Sequence, residues 1–186
     1  GGHGVAAQAK AAYHESHRPR QRMQRRFRRR AGAVAPAAPR FDACFAGRLN
    51  PTKGIFDLPA IWRAVVDQIP NSRLLVMGGG EEWRGELESK IASQGLDRHI
   101  SVAGFVQESD YFASMQSSRV FIAPSYEEGF GISVCEGMAC GLPAVAYTLP
   151  VYTELFGDGP TFVPAGDTAA MAREITKLLT DRRYYD

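Results

Sequence analysis

Cysteine is scarce here, with three thiols, Cys44, Cys135 and Cys140, among 186 residues. Three cannot all pair within one chain, and two of them fall at apolar positions, which speaks against a disulfide framework and for buried thiols in a reducing cytoplasm. No apolar run approaches the ~20 residues that cross a bilayer as a helix. The opening GGHGVAAQ lacks both an initiator Met and the charged-then-apolar order of a signal peptide, so it reads as the edge of an excised fragment. Histidine is sparse too. His14 and His17 stand three apart, but no third ligand follows at a telling distance, and surface histidines are expected rather than a metal site. These absences point to a cytoplasmic protein, at most peripheral to a membrane.

What is present is unevenly charged. Gly1 to Arg40 holds ten Lys/Arg against one acid, Glu15, whereas Phe41 to Asp186 holds twelve against nineteen, so the overall +2 conceals two different polymers. Eight arginines crowd between Arg18 and Arg30, and AGAVAPAAP follows as an Ala/Pro linker. The division expected is residues 1–40 as a basic segment with its linker and residues 41–186 as a folded domain. The basic segment reads either as an arm for anionic lipid or nucleic acid or as a solvated connector.

From Phe41 the periodicity is regular. FDACFAG, RLLVMG, HISVAG, VFIAP, AVAY and TFVP are short apolar runs with the character of strands. Between them lie helical patterns: FDLPAIWRAVVDQI with Pro59 early, Glu81 to Gln94, a helix from near Ser109, one from near Gly131, and one from Asp167 to Leu179. A variable stretch separates AVAY from TFVP. Continuously apolar strands alternating with helices of about a dozen residues predict an α/β fold, a doubly wound parallel sheet of about six strands covered on both faces. Gly95 reads as a C-cap and Asp167 as an N-cap.

Ligands of such sheets bind beyond the carboxyl ends of the strands, and there the unusual residues gather. GRLNPTKG follows the first strand with Arg48 and Lys53 five apart, and GGGEE, GFVQES and YEEGFG follow the next three. A helix mouth offers unpaired N–H groups and positive partial charge, and with a guanidinium and an ammonium nearby it suits a diphosphate. In SYEEGFGISVCEGMACGLP, Glu128 precedes the helix that starts near Gly131, while Glu136 lies about five residues along it, roughly 7 to 8 Å at 1.5 Å per residue. With a diphosphate on the helix mouth, Glu136 meets a ribose diol and Glu128 meets hydroxyls on the second phosphate's substituent, since ionised carboxylates are acceptors only. Gly129 and Gly131 let the backbone approach phosphate or sugar. The line sugar, diphosphate, ribose describes a nucleotide sugar.

FAGRLNPTKG, LLVMGGGEE, ISVAGFV and PSYEEGFGISVCEGMACGLPAVA resemble, in order and spacing from about Phe41 to Leu179, the carboxyl-terminal donor-binding half of the family 4 retaining glycosyltransferases of GT-B fold, with their Glu-x7-Glu motif. The resemblance implies a Rossmann-like domain in which Arg48, Lys53 and Glu128 are catalytic. Arg48 and Lys53 would neutralise the diphosphate, and Glu128 with the backbone near Phe130 and Gly131 would hold the donor sugar. The N–H groups of Ile132 and Ser133 would touch phosphate, Glu136 the ribose, Phe105 and Val106 the base, and Gly47 would complete the donor site. It further implies transfer with retention, no cofactor or metal, and a UDP- or GDP-linked hexose. The acceptor, whether glycan, lipid-linked or small molecule, would sit on an amino-terminal GT-B domain that Gly1 to Arg40 does not contain. Isolated, the chain is therefore expected to bind donor and to transfer it poorly. Arg18 to Arg30 would belong to the interdomain region or serve contact with an anionic membrane.

Other readings compete. A glycoside hydrolase also uses paired carboxylates, but has no need of Arg48, Lys53 and an anion-facing helix mouth. A nucleotide-sugar epimerase on the same fold is a further possibility. A non-catalytic nucleotide-sugar-binding or interaction module with a basic arm is the main alternative. GGGEEW lacks the last glycine of a dinucleotide fingerprint, Trp83 standing in its place, and reads as a turn feeding a helix. Glu127 is expected to be solvated, Cys135 and Cys140 to pack in the core, and Tyr111, Phe112 and Met115 to be core residues.

Overall fold

The computed structural model describes residues 40–181, so the basic segment, the Ala/Pro linker, His14 and His17 lie outside the described residues. Six strands run β1 (Phe41–Ala46), β2 (Leu74–Met77), β3 (Ile100–Gly104), β4 (Ser118–Ala123), β5 (Ala144–Tyr147) and β6 (Thr161–Val163). Helices α1 (Leu58–Val66), α2 (Glu81–Ser93), α3 (Glu108–Gln116), α4 (Ile132–Ala139), α5 (Pro150–Phe156) and α6 (Thr168–Thr180) connect or follow them. Every strand pairing is parallel, in the order β3-β2-β1-β4-β5-β6. The chain thus winds outward one way from β1, crosses back, and winds the other way from β4, leaving a crevice where the loops after β1 and β4 part.

Alternate residues of the strands other than β3 feed two cores. Phe45, Val76, Ile122 and Tyr147 face α1, α2 and α6, where Ile61, Trp62, Leu87, Met171 and Ile175 close one cluster. Cys44, Ala46, Met77, Phe121 and Ala146 face α3, α4 and α5, which contribute Met115, Val134 and Tyr152 to the other. Central strands buried on both sides need apolar residues at every position, which is why they read as unbroken runs. Edge strand β6 is less buried, with Thr161 exposed.

Two helix ends follow the signals in the sequence. Asp167 accepts from the Ala170 N–H at 2.8 Å and starts α6. Gly95, at φ 66°, turns the chain just past α2. The stretch between β5 and β6 is not irregular: it holds α5, with Pro150 at its first turn, where proline costs no hydrogen bond and presets the backbone. All three thiols are free, and Cys44 and Cys135 are buried. Among the described residues no helix is long and apolar enough to cross a membrane.

Candidate functional site

The loop after β1 folds into a short 3-10 turn, Pro51–Lys53, for local reasons. Asn50 accepts from the Lys53 N–H at 3.1 Å and from the Thr52 hydroxyl at 2.9 Å, Pro51 starts the turn, and Gly54 closes it at φ 68°. Gly54 lies so close to β4 that a Cβ would stand 1.8 Å from the Pro124 carbonyl oxygen, which only glycine permits. The Thr52 carbonyl accepts the Tyr126 N–H at 2.8 Å, joining this turn to the loop after β4.

That join brings Lys53 to Glu128. Lys53 Nζ lies 2.8 Å from Glu128 Oε1, both side chains being mostly buried, and also donates to the Glu127 carbonyl at 3.1 Å. Ser125 Oγ donates to the same Glu128 oxygen at 3.1 Å. Where the sequence reading gave Lys53 and Glu128 separate partners, the structure pairs them with each other. Glu127 itself is exposed. Arg48, also on the cleft lining, is exposed, with no ion pair among the described residues.

Helix α4 begins at Gly131, at φ 71°, with no side-chain cap. Its first-turn N–H groups, those of Ile132 and Ser133 included, therefore open toward the crevice with the positive end of the helix dipole. A Cβ on Gly131 would stand 2.5 Å from the Tyr152 ring, whereas one on Gly129 would meet open space. Glu136 sits in the second turn of α4. The Tyr111 hydroxyl, from α3, donates to Glu136 Oε2 at 2.8 Å. Burial first, and the Glu136 carboxylate second, hold the Tyr111 hydroxyl far above the ordinary tyrosine range, so it stays a donor.

These groups line one cleft of about 660 Å³. Arg48, Lys53, Glu128, Gly47, Phe105, Val106, Phe130, Gly131, Ile132, Ser133 and Glu136, singled out from the sequence, all lie on its wall. So do Gly78 and Gly79, as the reading of GGGEEW as a turn feeding a helix allows. A Cβ on Gly78 would fall 1.7 Å from the Gly47 carbonyl oxygen and one on Gly80 2.5 Å from the Leu49 carbonyl oxygen, so these two glycines let the turn pack on the loop of Arg48. Tyr111 packs against the second core cluster as expected, yet it also reaches the site. Phe112 and Met115 are buried as foreseen, but Tyr111 lies on the cleft wall with its hydroxyl on Glu136. The one signal that could have marked it was its hydroxyl: a buried tyrosine seeks a partner, and phenylalanine would serve a plain core.

A second set of contacts steadies the glycine loop. Asp57 Oδ2 accepts from Tyr126 at 2.6 Å and from Tyr147 at 2.7 Å, tying the loop after β4 to the start of α1 and to β5. The buried Tyr152 hydroxyl lies beside Ser125 and Glu128 without a well-formed hydrogen bond to either. Phe105, Phe130 and Ile132 stand exposed on the cleft wall, Phe105 at 75%.

Known proteins resemble this chain in sequence and fold. Residues 33–186 match the family described as glycosyl transferases group 1. A phosphatidyl-myo-inositol mannosyltransferase from Mycobacterium leprae is 37% identical over 139 residues, 73% of this chain and 36% of that protein. O-antigen chain mannosyltransferase B of Escherichia coli is 26% identical over 75% of this chain and 37% of its own length. The chain thus spans little more than a third of these relatives. Among solved structures, Staphylococcus aureus TarM in complex with UDP superposes with TM-score 0.74 at 18% identity, over 83% of this chain and 31% of that one. The C-terminal domain of LpcC, a glycosyl transferase group 1 protein of Francisella tularensis, gives 0.68 at 20% identity over 79% of both chains. At those identities the likeness speaks to the fold, a Rossmann-like half of the GT-B architecture. The sequence match speaks to descent: this chain belongs to the glycosyl transferases group 1 family.

Proposed function

We propose that the chain is the donor-binding domain of a retaining glycosyltransferase that moves a hexose from a nucleoside diphosphate to an acceptor held elsewhere in the protein. The observation that carries this reading is the joining, in one cleft, of Arg48, Lys53 and the uncapped start of α4 with the carboxylates Glu128 and Glu136. Cations and a helix mouth suit a diphosphate, while carboxylates on either side suit hydroxyls. A hydrolase needs the second feature and has no use for the first. UDP in the TarM complex and GDP-mannose in the name of a Xanthomonas oryzae mannosyltransferase, 28% identical over 67% of this chain, favour a UDP- or GDP-linked donor.

In this reading the diphosphate lies on the N–H groups of Ile132 and Ser133 between Arg48 and Lys53, and Glu136 holds the ribose. Phe105 and Val106 flank the base, while Gly47 and the Phe130–Gly131 backbone complete the site. The Lys53–Glu128 ion pair is the resting arrangement. A bound donor draws the ammonium to phosphate and turns the Glu128 carboxylate to a sugar hydroxyl. When the bond between the anomeric carbon and the diphosphate oxygen breaks, the charge left on phosphate meets Lys53 and Arg48, the work a metal ion does in other transferases. By itself the 186-residue chain binds donor and transfers little.

Isothermal titration with UDP, GDP, ADP and dTDP in metal-free buffer tests the reading. Saturable binding of one nucleotide is expected, weakened about tenfold or more in both Lys53→Ala and Glu136→Ala, as loss of charge-assisted hydrogen bonds implies. A folded chain that binds none of them would overturn it.

A further inference from the structure

Tyr111 touches Glu136 from a different helix, and nothing in the diphosphate chemistry requires it. Its hydroxyl donates to Oε2 at 2.8 Å, its ring stands edge-on to Phe112 at 5.3 Å between centroids, and burial keeps the phenol protonated. Both residues line the cleft. A half-buried glutamate at the edge of a cleft, such as Glu136, still has more than one accessible rotamer, and fixing one costs side-chain entropy at the moment a ligand binds. A phenol anchored in a packed helix meets that cost in advance by holding the carboxylate in one orientation.

We propose that Tyr111 is a positioning residue that presets the Glu136 carboxylate for the vicinal hydroxyls of a ribose, and thereby makes this site selective for ribonucleoside over deoxyribonucleoside diphosphates. The inference rests on the reading of Glu136 as the ribose ligand. Two cis hydroxyls can engage both oxygens of one carboxylate, and a sugar lacking the 2′ hydroxyl leaves one of those acceptors without its partner. A site built to accept from a hydroxyl rejects the analogue without it more strongly the more rigidly the acceptor is held. Tyr111 supplies that rigidity from α3, while Glu136 belongs to α4, so discrimination depends on how the two helices pack.

Titration of the wild type, Tyr111→Phe, Glu136→Gln and the double variant with UDP and GDP, each beside its 2′-deoxy counterpart, reads the effect. The ring is retained in Tyr111→Phe, and its unfolding midpoint is measured alongside. The wild type is expected to prefer the ribonucleotide. In Tyr111→Phe, ribonucleotide affinity falls roughly three- to tenfold, affinity for the deoxy form hardly moves, and in the Glu136→Gln background the tyrosine change adds no further loss. Equal loss on ribo and deoxy ligands, or no loss on either, overturns the positioning role while leaving Glu136 and the donor reading in place. A wild type that binds both forms alike shows that Glu136 does not hold the ribose, and this inference falls with that assignment.

Discussion

On one face of the sheet Phe45, Val76, Ile122 and Tyr147 meet Trp62, Ile61, Leu87, Met171 and Ile175, whereas on the other Cys44, Ala46, Ala144 and Ala146 meet α3, α4 and α5 through Met115, Val134 and Tyr152. The first face is filled by large aliphatic and aromatic side chains. The second mixes the larger Leu75, Met77 and Phe121 with small strand residues, and its short helices come close to the sheet, so close that a Cβ on Gly137 would lie 2.6 Å from the Phe121 ring. Large groups bury more area and give more stability per residue. Small ones let α4 settle where its open end and Glu136 reach the crevice. The first face thus carries more of the stability, while the second sets where α4 and Glu136 meet the crevice beyond the strand ends, and changes on the two faces will have different signatures.

The sharpest way to break that contrast is to empty the first face. Trp62 is fully buried, and Trp62→Ala is expected to cost about 3–5 kcal/mol of unfolding free energy. Urea denaturation reads the loss, and calorimetry under conditions where the variant remains folded is expected to return unchanged nucleotide affinity. A large affinity loss in the folded variant would mean that the two faces are not separable.

Gly137→Ala attacks the second face with a smaller change. The added methyl forces α4 or Phe121 to shift, at about 1–3 kcal/mol, and because Glu136 is the neighbouring residue, nucleotide affinity falls along with stability. If Gly137→Ala lowers the unfolding midpoint but leaves affinity intact, the close approach of α4 serves packing alone.

How far sequence reveals this division follows from what periodicity encodes. The strands are legible because burial on both sides demands unbroken apolar runs, and α6 because Asp167 caps it. α5 is hidden by Pro150, which resembles a breaker until its place in the first turn is known. The cleft residues are legible through glycines and charges at strand ends. Two contacts are not. Lys53 and Glu128 lie in loops whose meeting depends on β1 pairing with β4, a neighbourhood that no local pattern states. Tyr111 adjoins Phe112, and consecutive helical residues point about 100° apart, so one buries its ring while the other reaches Glu136. The strand order that decides both contacts is a property of the folded sheet.

The two faces also differ in ionisable content, and alkaline pH sharpens that difference. Cys44, wholly buried on the site face, has its thiol pushed by burial from 9.0 up to about 12. Above pH 9 the unfolded chain releases this proton while the folded chain keeps it, so the folded state binds more protons and loses stability as pH rises. The contribution is complete below pH 9 and spent by about 12. One group in that window removes at most about 1.4 kcal/mol per pH unit. Cys44→Ala forfeits some packing at neutral pH, yet its unfolding free energy is expected to fall less steeply than the wild type's between pH 9 and 10.5. Because Cys135, Cys140 and the tyrosines are present in both proteins, the difference in slope reports Cys44 together with its electrostatic coupling to Cys140 and Tyr111. Parallel slopes would mean that the thiol on β1 can reach water, and that the helices of the site face do not seal the strand beneath them.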